Sequence, residues 1–425
     1  MKDLVERATR VLDSNWLGHA TRPGPHLYPH QWSWDSAFVA IGLAHIDPDR
    51  ARIELSSLFR AQWRNGLLPQ IVFNPEATTD YFPGADVWDT DRNPASPFEP
   101  RTSGIVQPPV HALAVLELHR RAPDAEWLRG LLPGLRAWHD YLYRERDHDR
   151  LVHIRHPWES GMDDSPAWDP ALARIKLPRD SQPNYRRVDL TRVTEHERPT
   201  RADYDYYVHL VEVFKSADYD ESKLRETCPF WVADPLFNAV LIASERALGE
   251  LSAAAGDRDA APPPERAQAT AWAMEERLWS EAAGCFVAWD ARAHEQLPAR
   301  VAGGLAPLIA GVGDTDRLVE ELEAPSFWPV DGWHPVPTAD ALSPAFERRR
   351  YWRGPVWANL NWLIWRGLRE AGRDDRAGAL RERTLQLIDA AGLREYFDPT
   401  TGSGLGSEAF SWTAALAIDM AVDAA

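Results

Sequence analysis

The sequence predicts an all-α protein, a single domain over 1–425 built as a toroid of paired helices. Three observations carry this expectation. Apolar residues recur with a helical period along most of the 425 residues, two-residue alternation is scarce, and no Gly/Ser-rich or Pro-rich linker divides the chain. An elongated helical array would need a fixed repeat, and none is visible.

The helices follow in order. Leu4, Val5, Ala8, Val11 and Leu12 fall on one face at i, i+1, i+4, i+7 and i+8. Similar stripes lie at 36–46, 49–64 and 108–121, and Leu128, Leu131, Leu132, Leu135, Trp138 and Leu142 form the next. Further stripes occupy 204–218, 234–254, 264–279, 303–311, 314–322, 355–371, 373–391 and 409–423. Pro263 and Pro264 are placed to open one helix, and Pro355 fits the first position of another, where a missing N–H costs nothing. Three long segments, at about 66–107, 146–203 and 324–354, lack the period and are dense in Trp, Tyr, Asp, Arg and Pro. Long irregular segments in a compact domain are often functional, so a ligand pocket is expected where these three converge.

Composition narrows the function classes. The net charge of −17 lacks the basic footprint of a nucleic-acid-binding protein. No apolar run approaches the roughly 18 residues of a membrane span. The opening stretch MKDLVERATR lacks the apolar core of a signal peptide, which gives the expectation of a cytoplasmic protein. Cys228 and Cys285 are the only cysteines, too few for a disulfide framework or a cysteine metal site. Tryptophan is unusually frequent, at 20 residues. Such a surplus outside helical stripes suits a pocket for a ligand with flat apolar faces and a polar rim, such as a sugar.

Four constellations carry chemistry. The first is Tyr28-Pro29-His30-Gln31-Trp32-Ser33-Trp34-Asp35-Ser36. If it is extended, Trp32 and Trp34 point to one side as a sugar platform and Asp35 accepts hydroxyl hydrogen bonds. The plainer reading makes Asp35 an N-cap with the tryptophans packed beneath it. The second is Trp158-Glu159-Ser160-Gly161-Met162-Asp163-Asp164-Ser165-Pro166-Ala167-Trp168, three carboxylates between tryptophans. A carboxyl beside apolar rings has its pKa raised and can donate a proton near neutrality, although Asp164 and Ser165 also fit a simple turn. No histidine stands at metal-ligand spacing there.

The third runs from Tyr351 to Trp362 and includes Trp352, Arg353, Trp357, Asn359 and Asn361. Trp357 and Asn361 would share a helix face, and core packing accounts for some of these rings. The fourth is Arg394-Glu395-Tyr396-Phe397-Asp398-Pro399-Thr400-Thr401-Gly402, followed by Glu408 and Phe410-Ser411-Trp412-Thr413. Glu408 can cap the last helix, whereas Glu395 has no obvious structural duty. Taken together these are the parts of a glycosidase: two separated carboxylate clusters, one to protonate the leaving oxygen and one to activate water or attack carbon, with aromatic platforms between.

The motifs ESGMD (Glu159–Asp163), YWRGPVW (Tyr351–Trp357), EYFDPTTG (Glu395–Gly402) and FSWTAAL (Phe410–Leu416) resemble glycoside hydrolase family 63. With YPHQWSWDSAF (Tyr28–Phe38) the likeness spans nearly the whole chain, and it is nearest to the compact members that hydrolyse mannosylglycerate or glucosylglycerate. The resemblance implies an (α/α)6 barrel, inversion at the anomeric carbon, Asp163 as general acid and Glu395, in preference to Glu408, as general base. It places Tyr28, Trp32, Trp34, Asp35 and Gln107 in the sugar subsite, and Tyr351, Trp352 and Trp357 on the leaving-group side. The segment Arg198-Pro199-Thr200-Arg201-Ala202-Asp203-Tyr204 resembles a loop that closes over the aglycone. The chemistry needs no metal and no cofactor.

A glycerate aglycone carries a carboxylate, for which Arg198 and Arg201 are the candidate partners. Glu408 in the same subsite would oppose it, which keeps a neutral α-glucoside or α-mannoside in play. A sugar isomerase or epimerase on the same architecture would need histidine bases, and His26, His30, His111 and His139 form no paired motif. A phosphorylase would need an anion site for phosphate, and a non-catalytic sugar-binding protein would need neither carboxylate. The expected partner is a small-molecule glycoside, with neither nucleic acid nor membrane, and a homo-oligomer is compatible with the sequence.

Overall fold

The computed structural model describes residues 2–178, 185–257, 261–329 and 332–422. Parts of two expected loops, 179–184 and 330–331, lie outside the described residues.

Helix Ser33–Ile46 is the natural starting point, because every residue from Ser33 to Ala44 is buried. A helix that is apolar on all sides must lie inside other elements. It packs against Pro48–Arg60, His111–Arg121 and Ser411–Val422. Contacts then pass from His111–Arg121 to Pro235–Ala254, to the 3₁₀ segment Ala302–Ala310, to Ala358–Glu370, to Ser411–Val422 and back to Ser33–Ile46. Pro235–Ala254, Ala358–Glu370 and Ser411–Val422 are buried along most of their length too.

A second set of helices covers this cycle from outside. Lys2–Asn15 packs on Ser411–Val422, Pro48–Arg60 on Ser33–Ile46, Pro264–Arg277 on Pro235–Ala254, and Asp374–Ala391 on Ala358–Glu370. Ala125–Tyr141 packs on Pro235–Ala254 and Pro48–Arg60, and Thr315–Glu323 on the 3₁₀ segment. These outer helices are one-sided. Lys2–Asn15 buries only Leu4, Ala8, Leu12 and Asn15. Each fully buried leucine of this kind contributes about 1.5–3 kcal/mol over an exposed one. Gly42 allows a close approach within the cycle: a Cβ there would lie 2.4 Å from Ala415 Cα.

Short polar residues set where the helices begin. Asp234 accepts from the backbone N–H groups of Leu236 and Phe237. Thr200 and Asp203 exchange side-chain-to-backbone hydrogen bonds in a capping box at the start of Arg201–Ser216. Pro264 occupies the first turn of Pro264–Arg277, as the sequence predicts.

Three local expectations are corrected. The 303–311 stripe is a 3₁₀ segment, because Gly303 and Gly304 weaken an α-helix and Pro307 lacks the donor it needs. Pro355 lies ahead of its helix, which starts at Ala358 with Trp357 in the cap position, so Trp357 and Asn361 share no helix face. The supposedly irregular 146–203 region holds two strands of a five-stranded antiparallel sheet: Asp147–His148, Leu151–Ile154, Val232–Ala233, Ala288–Asp290 and Glu295–Leu297. Strands of two to four residues are too short to declare a two-residue period. This sheet carries the chain from Ile154 straight into the turn that bears Glu159 and Asp163.

Candidate active site

The long connections converge on one pocket of about 100 Å³. Its wall includes Tyr28, Trp32, Trp34, Asp35, Gln107, Asp163, Arg198, Tyr204, Tyr351, Trp352, Trp357 and Glu395. Twelve expected residues are therefore brought together from distant stretches of chain.

The first wall is the start of helix Ser33–Ile46. Strand Gln31–Trp32 pairs with Ile71–Val72, and the helix begins at the next residue, so the expected extended alternation of Trp32 and Trp34 does not occur. Trp32 takes the cap position without a capping side chain. The exposed helix N–H groups are met from elsewhere: Ser33 N donates to Gln70 O at 2.9 Å, and Trp34 N to Gln107 Oε1 at 3.2 Å. Asp35 is thus in the first turn and not an N-cap. Burial pushes its carboxyl well above the usual carboxylate range, with Glu395 and Glu54 adding to the effect.

Asp163 ends a tight turn. Gly161 adopts φ +73°, and a Cβ there would meet the Trp34 ring at 2.5 Å, so glycine lets this turn lie against the first wall. Tyr207 Oη donates to Asp163 O at 2.8 Å, and Trp168 Nε1 to Met162 O at 2.8 Å. Burial pushes the Asp163 carboxyl up to about 7; the Arg198 charge opposes the shift, and Glu395 and Asp189 reinforce it.

Glu395 immediately precedes strand Tyr396–Phe397, which pairs with Gly404–Leu405. Tyr28 Oη donates to Glu395 Oε1 at 2.6 Å, Arg198 Nη1 to the same oxygen at 3.3 Å, and Ser407 N to Oε2 at 2.8 Å. Burial raises its pKa, while Arg198, Tyr28 and Ser407 hold the rise in check.

The aromatic wall is continuous. Trp352 and Trp357 stack with centroids 3.8 Å apart and planes 5° from parallel, and Trp357 stacks on Tyr396 at 4.6 Å. Trp357 Nε1 donates to Tyr351 O at 2.9 Å. Arg198 lies over the Tyr351 ring at 4.4 Å and near Asp189 at 3.5 Å. Tyr204 lines the pocket beneath the Arg187 guanidinium, 3.6 Å from its ring.

Two expected residues are not brought here. Arg201 is exposed in the first turn of its helix and lies over the Tyr185 ring at 4.9 Å. Glu408 is 72% exposed at its side chain and pairs with Arg394 at 3.0 Å. The pocket also recruits Trp158, Phe410 and Trp412, which stand in the sequence motifs without an assigned role, and Gln70, Tyr81 and Asp189, which sequence reasoning passed over. Trp412 Nε1 and Gln70 Oε1 are buried without a hydrogen-bond partner among the described residues, which leaves a donor and an acceptor in the wall. Trp412 sits inside the FSWTAAL motif and was within reach of the sequence. Asp189 carries only the weak signal of its neighbour Arg187.

Among the described residues the lining has four carboxyl groups, Asp35, Asp163, Asp189 and Glu395, and one cationic side chain, Arg198. None of His26, His30, His111 and His139 lines it. Among the described residues no group of three His, Cys, Asp or Glu side chains is arranged to hold a metal ion, and no helix is long and apolar enough to cross a membrane.

A family model described as the mannosylglycerate hydrolase MGH1-like glycoside hydrolase domain matches residues 28–413. The chain is 48% identical to the mannosylglycerate hydrolase of Rubrobacter radiotolerans, covering 100% of this chain and 98% of that protein. It is 37% identical to the glucosylglycerate hydrolase of Mycolicibacterium hassiacum, covering 98% and 97%. A crystal structure of the family 63 mannosylglycerate hydrolase from Thermus thermophilus, in complex with Tris and D-glycerate, superposes with a TM-score of 0.90 at 41% identity, covering 98% and 99% of the two chains. The fold is thus that of a glycoside hydrolase. The chain belongs to the MGH1-like glycoside hydrolases of family 63.

Proposed function

We propose that this protein is an inverting α-glycosidase that hydrolyses α-mannosylglycerate or α-glucosylglycerate. The observation that carries this reading is the convergence of Asp163 and Glu395, from distant parts of the chain, on one buried pocket. The full-length likeness to hydrolases named for these two substrates supports the choice.

Each carboxyl has a role that suits its surroundings. Asp163, held up to about 7, keeps its proton near neutrality and gives it to the glycosidic oxygen as the C1–O bond breaks. Burial raises the pKa of Glu395, and Arg198, Tyr28 and Ser407 oppose that rise and favour the carboxylate that a base requires. Glu395 takes a proton from the water whose oxygen bonds to C1 on the opposite face. Glu395 ends the step protonated and Asp163 ionised, and the two exchange protons with water to reset. Inversion requires the carboxyls about 6.5–9.5 Å apart, with the water between them.

Arg198 is the proposed partner of the glycerate carboxylate. It is the only cationic side chain lining the pocket among the described residues. Glu408, which would have opposed an anionic aglycone, lies on the surface instead. One observation favours a second reading, a neutral aglycone: Arg198 is already flanked by Glu395 and Asp189. The cycle of inner helices with its outer partners supports one (α/α)6 barrel forming a single domain. Two buried free cysteines suit a reducing, cytoplasmic location.

Proton NMR of the protein with α-mannosylglycerate, α-glucosylglycerate and neutral α-disaccharides tests the proposal. A first-formed β-anomer from a glycerate glycoside is expected, absent with Asp163→Ala. A first-formed α-anomer would overturn inversion, and turnover of the neutral substrates alone would overturn the aglycone.

A further inference from the structure

Glu159 stands four residues before Asp163, outside the pocket and fully buried. Its Oε1 accepts from Val106 N at 3.2 Å and Arg146 Nη2 at 3.0 Å. Its Oε2 accepts from Arg146 Nη1 at 2.9 Å and Arg155 N at 2.6 Å. Arg146 also donates through Nε to Glu221 Oε1 at 2.9 Å, and Glu221 accepts from Tyr141 and Arg155 side chains. Two guanidinium groups and two carboxylates thus alternate in the interior, with their charges balanced.

This carboxylate ties together two pieces of backbone that end in the pocket. Val106 precedes Gln107, whose Oε1 receives Trp34 N. Arg155 opens the turn that ends at Asp163. Among the described residues no side chain hydrogen-bonds the Asp163 carboxylate, so its aim depends on where this turn is held. Every polar side-chain atom of Glu159 and Arg146 is satisfied, although Arg155 Nε has no partner among the described residues, and the forked Arg146–Glu159 pair fixes direction as well as distance.

We propose that Glu159 is a positioning residue for the reaction, aiming Asp163 at the glycosidic oxygen. The proposal rests on the reading of Asp163 as the acid. It assigns Glu159 to one step, protonation of the leaving group, rather than to the stability of the pocket at large.

An α-glycosyl fluoride separates these roles. Water adds to C1, Glu395 takes its proton and fluoride leaves as the anion, so no acid is needed. Glu159→Gln and Arg146→Lys would be assayed on this fluoride and on the glycerate glycoside, with Asp163→Asn beside them. Glu159→Gln should lower kcat on the glycerate glycoside by about 10- to 100-fold, with KM and the fluoride kcat each within about threefold. Arg146→Lys, which keeps the charge and loses the fork, should show the same split. Parallel losses on both substrates, or no loss on either, would overturn the proposal. If Glu159→Gln does not fold, Arg146→Lys decides by the same comparison. If Asp163→Asn loses both substrates alike, it is the acid assignment that fails.

Discussion

Arg198 Nη1 donates to Glu395 Oε1 at 3.3 Å, and Tyr28 Oη joins the two: it donates to that oxygen at 2.6 Å and accepts from Arg198 Nη2 at 2.9 Å. A buried carboxyl left alone would hold its proton and could not act as a base. The positive neighbour and two donors counter that tendency. On the proposed reading the same guanidinium serves the base and meets the aglycone.

Replacing Glu395 by alanine should lower kcat on the glycerate glycoside by about 10²- to 10⁴-fold, the usual range for a general base. Azide needs no deprotonation and fits the vacated side of the pocket. Added azide should restore turnover and yield the β-glycosyl azide, identified by NMR. An α-glycosyl azide would show a covalent, retaining route instead.

The pH dependence of kcat/KM should be bell-shaped. Asp163 must be protonated, so activity falls as pH rises through about 7. Glu395 must be ionised, and its pKa is raised, so the acid limb should lie above the usual glutamate value. Asp163→Asn should remove the basic limb from whatever activity remains on the glycerate glycoside, and the glycosyl fluoride, which needs no acid, should show no such limb even with the unmodified protein.

Arg198→Gln should discriminate between aglycones. Loss of a charge-assisted hydrogen bond costs about 1.5–3 kcal/mol, or roughly 10- to 150-fold in KM for a glycerate glycoside. The KM of a neutral α-glycoside should change much less. Equal changes for both, in steady-state assays, would remove Arg198 from aglycone recognition.

Arg201→Ala and Glu408→Ala should leave kcat and KM for the glycerate glycoside within about twofold, as surface substitutions usually do. Neither side chain lines the pocket, and the pair Glu408–Arg394 is exposed. A tenfold loss in either variant would show a catalytic surface wider than the pocket.

Asp234 offers a test away from the chemistry. Burial holds its carboxyl up at about 7 despite two backbone donors. The folded state thus binds its proton more tightly than the unfolded chain. That contribution favours folding below about pH 4 and is lost as pH rises through about 7. The Asp234→Asn variant would have no such dependence and would still cap the helix. Calorimetry should show its Tm gaining on that of the unmodified protein as pH rises.

The sequence made the helices legible because burial on one side leaves a 3.6-residue signature. The stripe of Leu4, Ala8 and Leu12 is the same face that the structure buries. Its reach ended where backbone geometry is set by contacts from far away. Gly303, Gly304 and Pro307 turn an apolar stripe into a 3₁₀ segment, and the five-stranded sheet is built from pieces too short to show a pattern. In the site, motifs located Asp163, Glu395 and most of the aromatic wall. They misplaced Glu408, because its direction follows from Ala409 at φ +49° and from the pairing of Tyr396–Phe397 with Gly404–Leu405. They missed Asp189 because a carboxylate beside an arginine looks like any surface pair until a third group, here Arg198, is brought to it.

The contact at Gly42 has a consequence for how the molecule comes into being. Ser33–Ile46 leaves the ribosome long before the helix that covers it, Ser411–Val422. At synthesis rates of about 5–20 residues per second, the apolar flank of the early helix waits tens of seconds for its cover. Glu395 arrives in the same late stretch as that cover. On the proposed reading, a chain whose synthesis has not yet reached this stretch has neither a sealed interior nor a proton acceptor, and hydrolytic competence waits for it.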